Sequence, residues 1–227
     1  MLLELLPESP PSLANFVDGR NGVALAALSE WLCPDNAVPA FLLWGAAGAG
    51  KSHLLRACAD ACELRYFDGA AKPGLVEIYE ALTEDELWVP QLAVDNVEAL
   101  DADGQQVLFN AFNRARLTGG KLLLATTLPP QGLNLREDLR TRLGSALIFG
   151  LEPLSDAEKS AALQGQAESR GLSLPEDALN YLLRHAPRDM RSLSGLVVAL
   201  DRLSLERQRP ITLPLLREVL HNEQSES

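Results

Sequence analysis

The chain has 227 residues, 47% hydrophobic and 22% charged, the balance of a globular protein with one large domain or a medium and a small one. Its formal net charge of −11 argues against a duplex-binding surface, which needs clustered lysine and arginine. No stretch reaches the roughly 20 apolar residues needed to span a bilayer.

Residues 1–15 open on leucines and turn Pro- and Ser-rich, an irregular arm. Phe16-Val17-Asp18-Gly19 leads to Asn21, a good N-cap for a helix through Leu25, Leu28 and Leu32. Pro34, Asp35 and Asn36 break that helix before an apolar strand at Phe41–Trp44. Gly45-Ala46-Ala47-Gly48-Ala49-Gly50-Lys51-Ser52 follows, and Ser52-His53-Leu54-Leu55 reads as the start of the next helix. Leu64–Phe67 is a short strand ended by Asp68-Gly69, and Pro73-Gly74 opens a helix to about Leu82. Leu92–Asp95 is a third strand, backed by a helix from about Gly104 to Arg116. Lys121–Thr126 is a continuous apolar strand of the kind buried in a parallel sheet. Ala146–Phe149 is the fifth. Strands alternating with helices imply an α/β fold, with a parallel sheet flanked by helices.

After Pro153 no strand pattern occurs. Ser155–Glu158 is a capping box for a helix to about Arg170. Pro175 starts a second helix through His185. Met190, Leu193, Leu196, Val197, Leu200 and Leu203 form the apolar stripe of a third, and Pro214 starts a fourth. The expected domains are therefore an arm at 1–15, a nucleotide-binding α/β domain at 16–152 and a small all-α lid at 153–227. Cys33, Cys58 and Cys62 are expected to be buried thiols of a reducing compartment, because no histidine stands at ligand spacing. The start has no basic n-region and only a short apolar run, so a cytoplasmic location is expected.

Gly45–Ser52 fits GxxxxGK[ST], the loop that cradles phosphates between a strand and a helix. Its glycines let backbone N–H groups converge on phosphate oxygens, and the helix N-terminus adds partial positive charge. Lys51 would reach the β- and γ-phosphates, and the Ser52 hydroxyl would bind Mg²⁺. Asp95, at the carboxyl end of its strand, is placed to hold Mg²⁺ through water. Asn96 stands where many hydrolysing proteins carry a second acid, and an amide takes no proton from water. The chain is therefore expected to bind nucleotide and to hydrolyse it slowly. Arg191 opens the third lid helix after the N-cap Asp189. A cation there opposes the helix dipole, so it either meets phosphate oxygens or pairs with Asp189. Arg140 and Arg142 precede the fifth strand. As a pair they are surface charges, or a source of transition-state charge for a nucleotide on another subunit.

Together these motifs, ordered from about Leu13 to Leu220, resemble the DnaA-related AAA+ P-loop NTPases, the family of a bacterial replication initiator and of its regulatory inactivators. Asn15–Asn21, with Phe16 and Val17, looks like the family's adenine-side segment. The resemblance further implies nucleotide contacts from Gly45, Gly48, Ala49, Gly50, Lys51, Ser52, His53, Asp95, Thr127 (near the first sensor position) and Arg191 (in the second sensor motif). It places the family's arginine finger at Arg142 rather than Arg140. The fold it implies is a five-stranded parallel sheet with an all-α lid, and the cofactors are ADP or ATP with Mg²⁺. Ending at Ser227, without the initiator's helix-turn-helix domain, and carrying Asp95-Asn96, the chain is more similar to the inactivators. These imply two partners: DnaA, whose bound ATP is hydrolysed, and the DNA polymerase III sliding clamp, met through leucines of residues 1–6 without the usual preceding glutamine. A homodimer or higher oligomer is possible within the family, and neither sequence-specific DNA binding nor a membrane is implied. The alternative is a helicase-loader-like or generic AAA+ ATPase that uses its own turnover.

Overall fold

The computed structural model describes residues 10–71, 78–80, 82–83, 88–186, 189–207 and 216–217. Packing divides the chain into an α/β unit, Pro10–Pro153, and a helical unit from Leu154 onward.

In the α/β unit, β1 (Ala40–Trp44), β2 (Arg65–Asp68), β3 (Gln91–Asp95), β4 (Lys121–Thr126) and β5 (Leu147–Gly150) form one sheet in the order β2-β3-β4-β1-β5. Every neighbouring pair is parallel. The helices given in full among the described residues are α1 (Gly22–Leu32), which precedes β1, and α2 (Lys51–Cys62), α3 (Ala102–Thr118) and α4 (Glu137–Leu143), which connect strands. Successive side chains of a strand leave on opposite faces, and here both faces are covered. Phe41, Leu43, Ala93, Leu123 and Ala125 pack with Leu28 and Trp31 of α1 and with Leu54, Leu55 and Cys58 of α2. Leu42, Leu92, Val94, Leu122 and Leu124 pack with Val107, Leu108 and Phe112 of α3 and with Leu139 and Leu143 of α4. Double coverage is why the strands read as unbroken apolar runs instead of alternating ones.

Strand order then builds the site. β1 lies between β4 and β5, and β3 lies beside β4. The carboxyl ends of β1, β3 and β4 therefore share one edge, where ligands bind in open parallel sheets.

Local chemistry departs from the sequence reading at several points. Asn21 precedes α1 but makes no capping bond. Its side chain instead bonds the backbone of Glu152, donating to the carbonyl at 3.0 Å and accepting from the N–H at 2.8 Å. Residues 13–15 form a 3₁₀ turn with a reciprocal Ser12–Asn15 capping box, within the stretch expected to be irregular. α3 starts at Ala102 because the Asp101 carboxylate accepts the Gly104 N–H at 2.9 Å. Only Cys58 is a buried thiol, whereas Cys33 and Cys62 are exposed. Burial pushes the Cys58 thiol up to about 12.

The helical unit holds α5 (Asp156–Ser169), α6 (Glu176–His185) and α7 (Met190–Arg207). The Ser155–Glu158 capping box starts α5 as its spacing predicts. Leu163, Leu179, Leu182, Leu193, Leu196, Val197 and Leu200 make the core of this unit. Most of the helix expected at Pro214, of which residues 216–217 are described and helical, most of the one expected at 73–82, and residues 1–9 of the arm lie outside the described residues. Among the described residues no helix is long and apolar enough to cross a membrane.

Candidate nucleotide site

The glycine loop joins β1 to α2, and α2 begins at Lys51 itself. Two glycines are closely approached by neighbouring groups. A β-carbon on Gly45 would run into the carbonyl oxygen of Leu151, and one on Gly50 would lie 2.6 Å from the Phe16 ring. Gly50 also takes the left-handed conformation at φ 93° as N-cap of α2, which costs other L residues about 1–2 kcal/mol. The backbone around the loop is pinned. Gly45 N donates to Thr126 O at 3.2 Å, and Leu151 N donates to Trp44 O at 2.7 Å.

Lys51 is 8% exposed. Its ammonium donates to the carbonyls of Gly45 at 2.7 Å and Ala46 at 3.0 Å, which folds it back over the loop. Burial lowers its pKa, and the carboxylates of Asp95 and Glu98 oppose the shift. Ser52 is exposed at the first turn of α2, as a metal- or phosphate-facing hydroxyl must be. Phe16 and His53 come together beside the loop, their ring centroids 5.5 Å apart. His53 Nε2 also lies 3.0 Å from the carbonyl oxygen of Ser12. Val17 is half-buried next to Phe16, and Ala49 is buried within the loop.

Asp95 ends β3 and is 1% exposed. Its Oδ1 accepts the Asn96 N–H at 2.9 Å, and its Oδ2 accepts the Tyr66 hydroxyl at 3.0 Å. Burial, followed by the charge of Asp95, pushes the Tyr66 phenol up to about 12. The Arg56 guanidinium lies over the Tyr66 ring, 4.2 Å from its centroid. Glu98 reaches from the short 3₁₀ turn after β3 to the end of β4, where its Oε1 accepts the Thr127 N–H at 3.0 Å. Its Oε2 is buried and has no hydrogen-bond partner among the described residues.

One edge of the sheet thus presents the glycine loop, a helix N-terminus, a lysine and the carboxylates of Asp95 and Glu98. Among the described residues no group of three or more His, Cys, Asp and Glu side chains could cage a metal. A buried aspartate beside a glycine loop suits Mg²⁺, which keeps several waters and is usually bound through one or two carboxylates plus substrate phosphates.

Arg142 lies elsewhere in the α/β unit. Arg142 is half-exposed near the end of α4, with its guanidinium 5.8 Å from the centroid of the Phe109 ring. β5 starts opposite Phe41, near the beginning of β1, so α4 delivers Arg142 to the sheet edge opposite the glycine loop. Arg191 falls in the first turn of α7, and its side chain lies outside the described residues. The cap before it is present: Asp189 Oδ1 accepts the Ser192 N–H at 2.9 Å. Sequence reasoning missed Tyr66, Asp68, Asn21 and the contacts of Glu98. Nothing local marks the first three, whose partners are 29, 28 and 131 positions away.

Comparison with known proteins agrees with this architecture. Residues 156–220 match the family model of the Hda lid domain. The fold is similar to domain III of the replication initiation protein DnaA from Thermotoga maritima, with a TM-score of 0.70 and 22% identity, covering 96% of this chain and 98% of that one. It is also similar to AMPPCP-bound DnaA from Aquifex aeolicus, with a TM-score of 0.68 and 23% identity over 96% of this chain and 71% of that one. RuvB from Thermotoga maritima has a TM-score of 0.68 and 17% identity over 97% of this chain and 73% of that one. The five-stranded parallel sheet flanked by helices is an AAA+ fold with an all-α lid.

Proposed function

We propose that this chain, an AAA+ protein related to Hda and DnaA, is a regulator of replication initiation that binds adenine nucleotide and promotes hydrolysis of ATP held by the initiator DnaA. The observation that carries the reading is the match of 156–220 to the Hda lid, on a fold shared with a DnaA that binds the ATP analogue AMPPCP. The domain division of 16–152 and 153–227, with an arm before it, follows from the same reading, as does a cytoplasmic location.

In this reading the chain's own site holds nucleotide without turning it over quickly. The glycine loop and the ammonium of Lys51, once it leaves the Gly45 and Ala46 carbonyls, bind the phosphates, while Ser52 and Asp95 would hold Mg²⁺, which supplies charge neutralisation when bound. Phe16, Val17 and His53 flank the base side. Thr127 and Arg191 sense the phosphate end, and Glu98 supports Thr127. Asn96 donates its amide to Asp68 at 2.9 Å, and an amide does not take a proton from water. Arg142, at the opposite sheet edge, is available to a nucleotide on another subunit, where an arginine stabilises transition-state charge and raises turnover by about 10³–10⁵ in systems of this kind. The DNA-loaded sliding clamp is the second partner, met through residues 1–6, and assembly into a dimer or higher oligomer accompanies this use of Arg142.

The test is the decay of DnaA-bound ATP in the presence of DNA-loaded clamp. The parent chain accelerates decay, Arg142→Ala binds nucleotide as the parent does but accelerates little, and Lys51→Ala loses nucleotide. Full stimulation by Arg142→Ala sinks the finger assignment. No acceleration by the parent, together with fast ATP turnover by the chain alone, favours a helicase-loader-like or generic AAA+ ATPase that uses its own turnover.

A further inference from the structure

Asn96 is held by a residue that belongs neither to the glycine loop nor to the strand that carries Asp95. β2 pairs with β3 in register, and Asp68 stands beside Asp95 at the end of the pair. From there Asp68 Oδ1 accepts two hydrogen bonds, from Asn96 Nδ2 at 2.9 Å and from Ala70 N at 3.0 Å. The next residue closes the junction, with Gly69 N donating to Asp95 O at 2.8 Å. A β-carbon on Gly69 would lie 3.0 Å from that oxygen and closer still to the carbonyl of Asn96.

Asn96 has φ 49° and ψ 47°, the left-handed region in which asparagine is enriched among non-glycine residues. That backbone turn aims the Asn96 N–H at Asp95 Oδ1, 2.9 Å away, while Tyr66, two residues before Asp68, donates to Asp95 Oδ2 at 3.0 Å. Both oxygens of the buried aspartate are therefore oriented by a set of bonds whose far end is β2.

We infer that Asp68 is a positioning residue for the nucleotide site: it selects an amide at position 96 and, through that amide, fixes the turn that orients Asp95. The inference rests on the nucleotide reading above and adds to it the reason that residue 96 is not an acid. Ionised aspartates accept hydrogen bonds and donate none. An aspartate at 96 would turn a second carboxylate towards Asp68 from hydrogen-bond distance. Two acceptors facing each other leave that junction without a donor, so the bond is lost. An acid at 96 alone therefore loosens Asp95. Exchanging the pair, with asparagine at 68 and aspartate at 96, re-forms the bond with donor and acceptor reversed.

The experiment compares full-length parent, Asn96→Asp, Asp68→Asn and the double variant Asp68→Asn/Asn96→Asp. Each is melted, and each is titrated with fluorescent ADP in Mg²⁺ and in EDTA. Asn96→Asp should bind Mg-ADP about tenfold more weakly than the parent, the size of one charge-assisted hydrogen bond. The loss should be smaller in EDTA, because Asp95 acts through the metal. The double variant should recover both affinity and melting temperature, to within about threefold of the parent's Kd. A parent-like Asn96→Asp overturns the inference, as does a double variant no better than its worse single. Should Asn96→Asp fail to fold, recovery by the double variant decides alone. A parent that binds no ADP at all removes the nucleotide reading instead. The pairing of 68 with 96 is then judged by melting temperatures, and failure of the double variant to recover overturns it.

Discussion

Replacing Asn21 with alanine removes both hydrogen bonds that its side chain makes to the Glu152 backbone. The side chain is buried at 5% exposure, and it bonds the Glu152 N–H at 2.8 Å and the carbonyl at 3.0 Å. Each bond contributes about 1 kcal/mol, and stranding the two backbone groups raises the cost, so about 2–3 kcal/mol is expected in all. At this chain length 1 kcal/mol moves the melting temperature by about 2–4 °C, which gives a drop of about 5–10 °C. The effect should extend to the site, because residue 151, next to Glu152, presses its carbonyl against Gly45 and donates its N–H to Trp44 O at 2.7 Å. Calorimetry measures the first effect and an ADP titration the second. Asn21→Asp separates the two bonds: it keeps an acceptor for the Glu152 N–H but sets an acceptor against the carbonyl, and it should melt no higher than Asn21→Ala. A drop of less than about 2 °C for Asn21→Ala would refute the reasoning, since one ordinary capping residue already accounts for about 1 kcal/mol.

Gly50→Ala should lower both nucleotide affinity and melting temperature, by about 1–2 kcal/mol from the left-handed backbone alone, and further because its β-carbon meets the Phe16 ring at 2.6 Å. Unchanged ADP binding by that variant would show that the loop adapts. Stability should also fall above about pH 9. Cys58 rises from 9.0 to about 12 and Tyr66 from 10.0 to about 12, so the folded chain keeps protons that the unfolded chain releases first. The contribution is whole below the unfolded values and is lost as the pH climbs towards 12. Melting curves across that range test it, and Tyr66→Phe should flatten the part above pH 10.

Much of the architecture was legible in the chain. Buried parallel strands need apolar residues on both faces, so Phe41–Trp44, Leu92–Asp95 and Lys121–Thr126 stood out as continuous runs. The Ser155–Glu158 box marked the start of α5 because a capping box is entirely local. The strand ends were less sharp: β2 and β5 each begin one residue later than their apolar residues suggest, because pairing with a neighbour, not hydrophobicity, sets where a ladder starts. Asn21 misled for the same reason. Its residue type suits a cap, yet a backbone partner 131 positions away takes both ends of its amide.

By itself the sequence determined what a short stretch of chain can specify: the glycine loop at 45–52, the aspartate that ends β3, the amide after it, and the change from strands to helices past Pro153. Tertiary structure alone decided which distant groups those residues meet. The order β2-β3-β4-β1-β5 brings the loop, Asp95 and Thr127 to one edge and leaves Arg142 at the other. Register between β2 and β3 sets Asp68 against Asn96 and Tyr66 against Asp95. Hydrogen bonds and ion pairs act over a few ångströms, so the partner of a polar residue is settled by how the strands are stacked and not by what stands beside it in the chain.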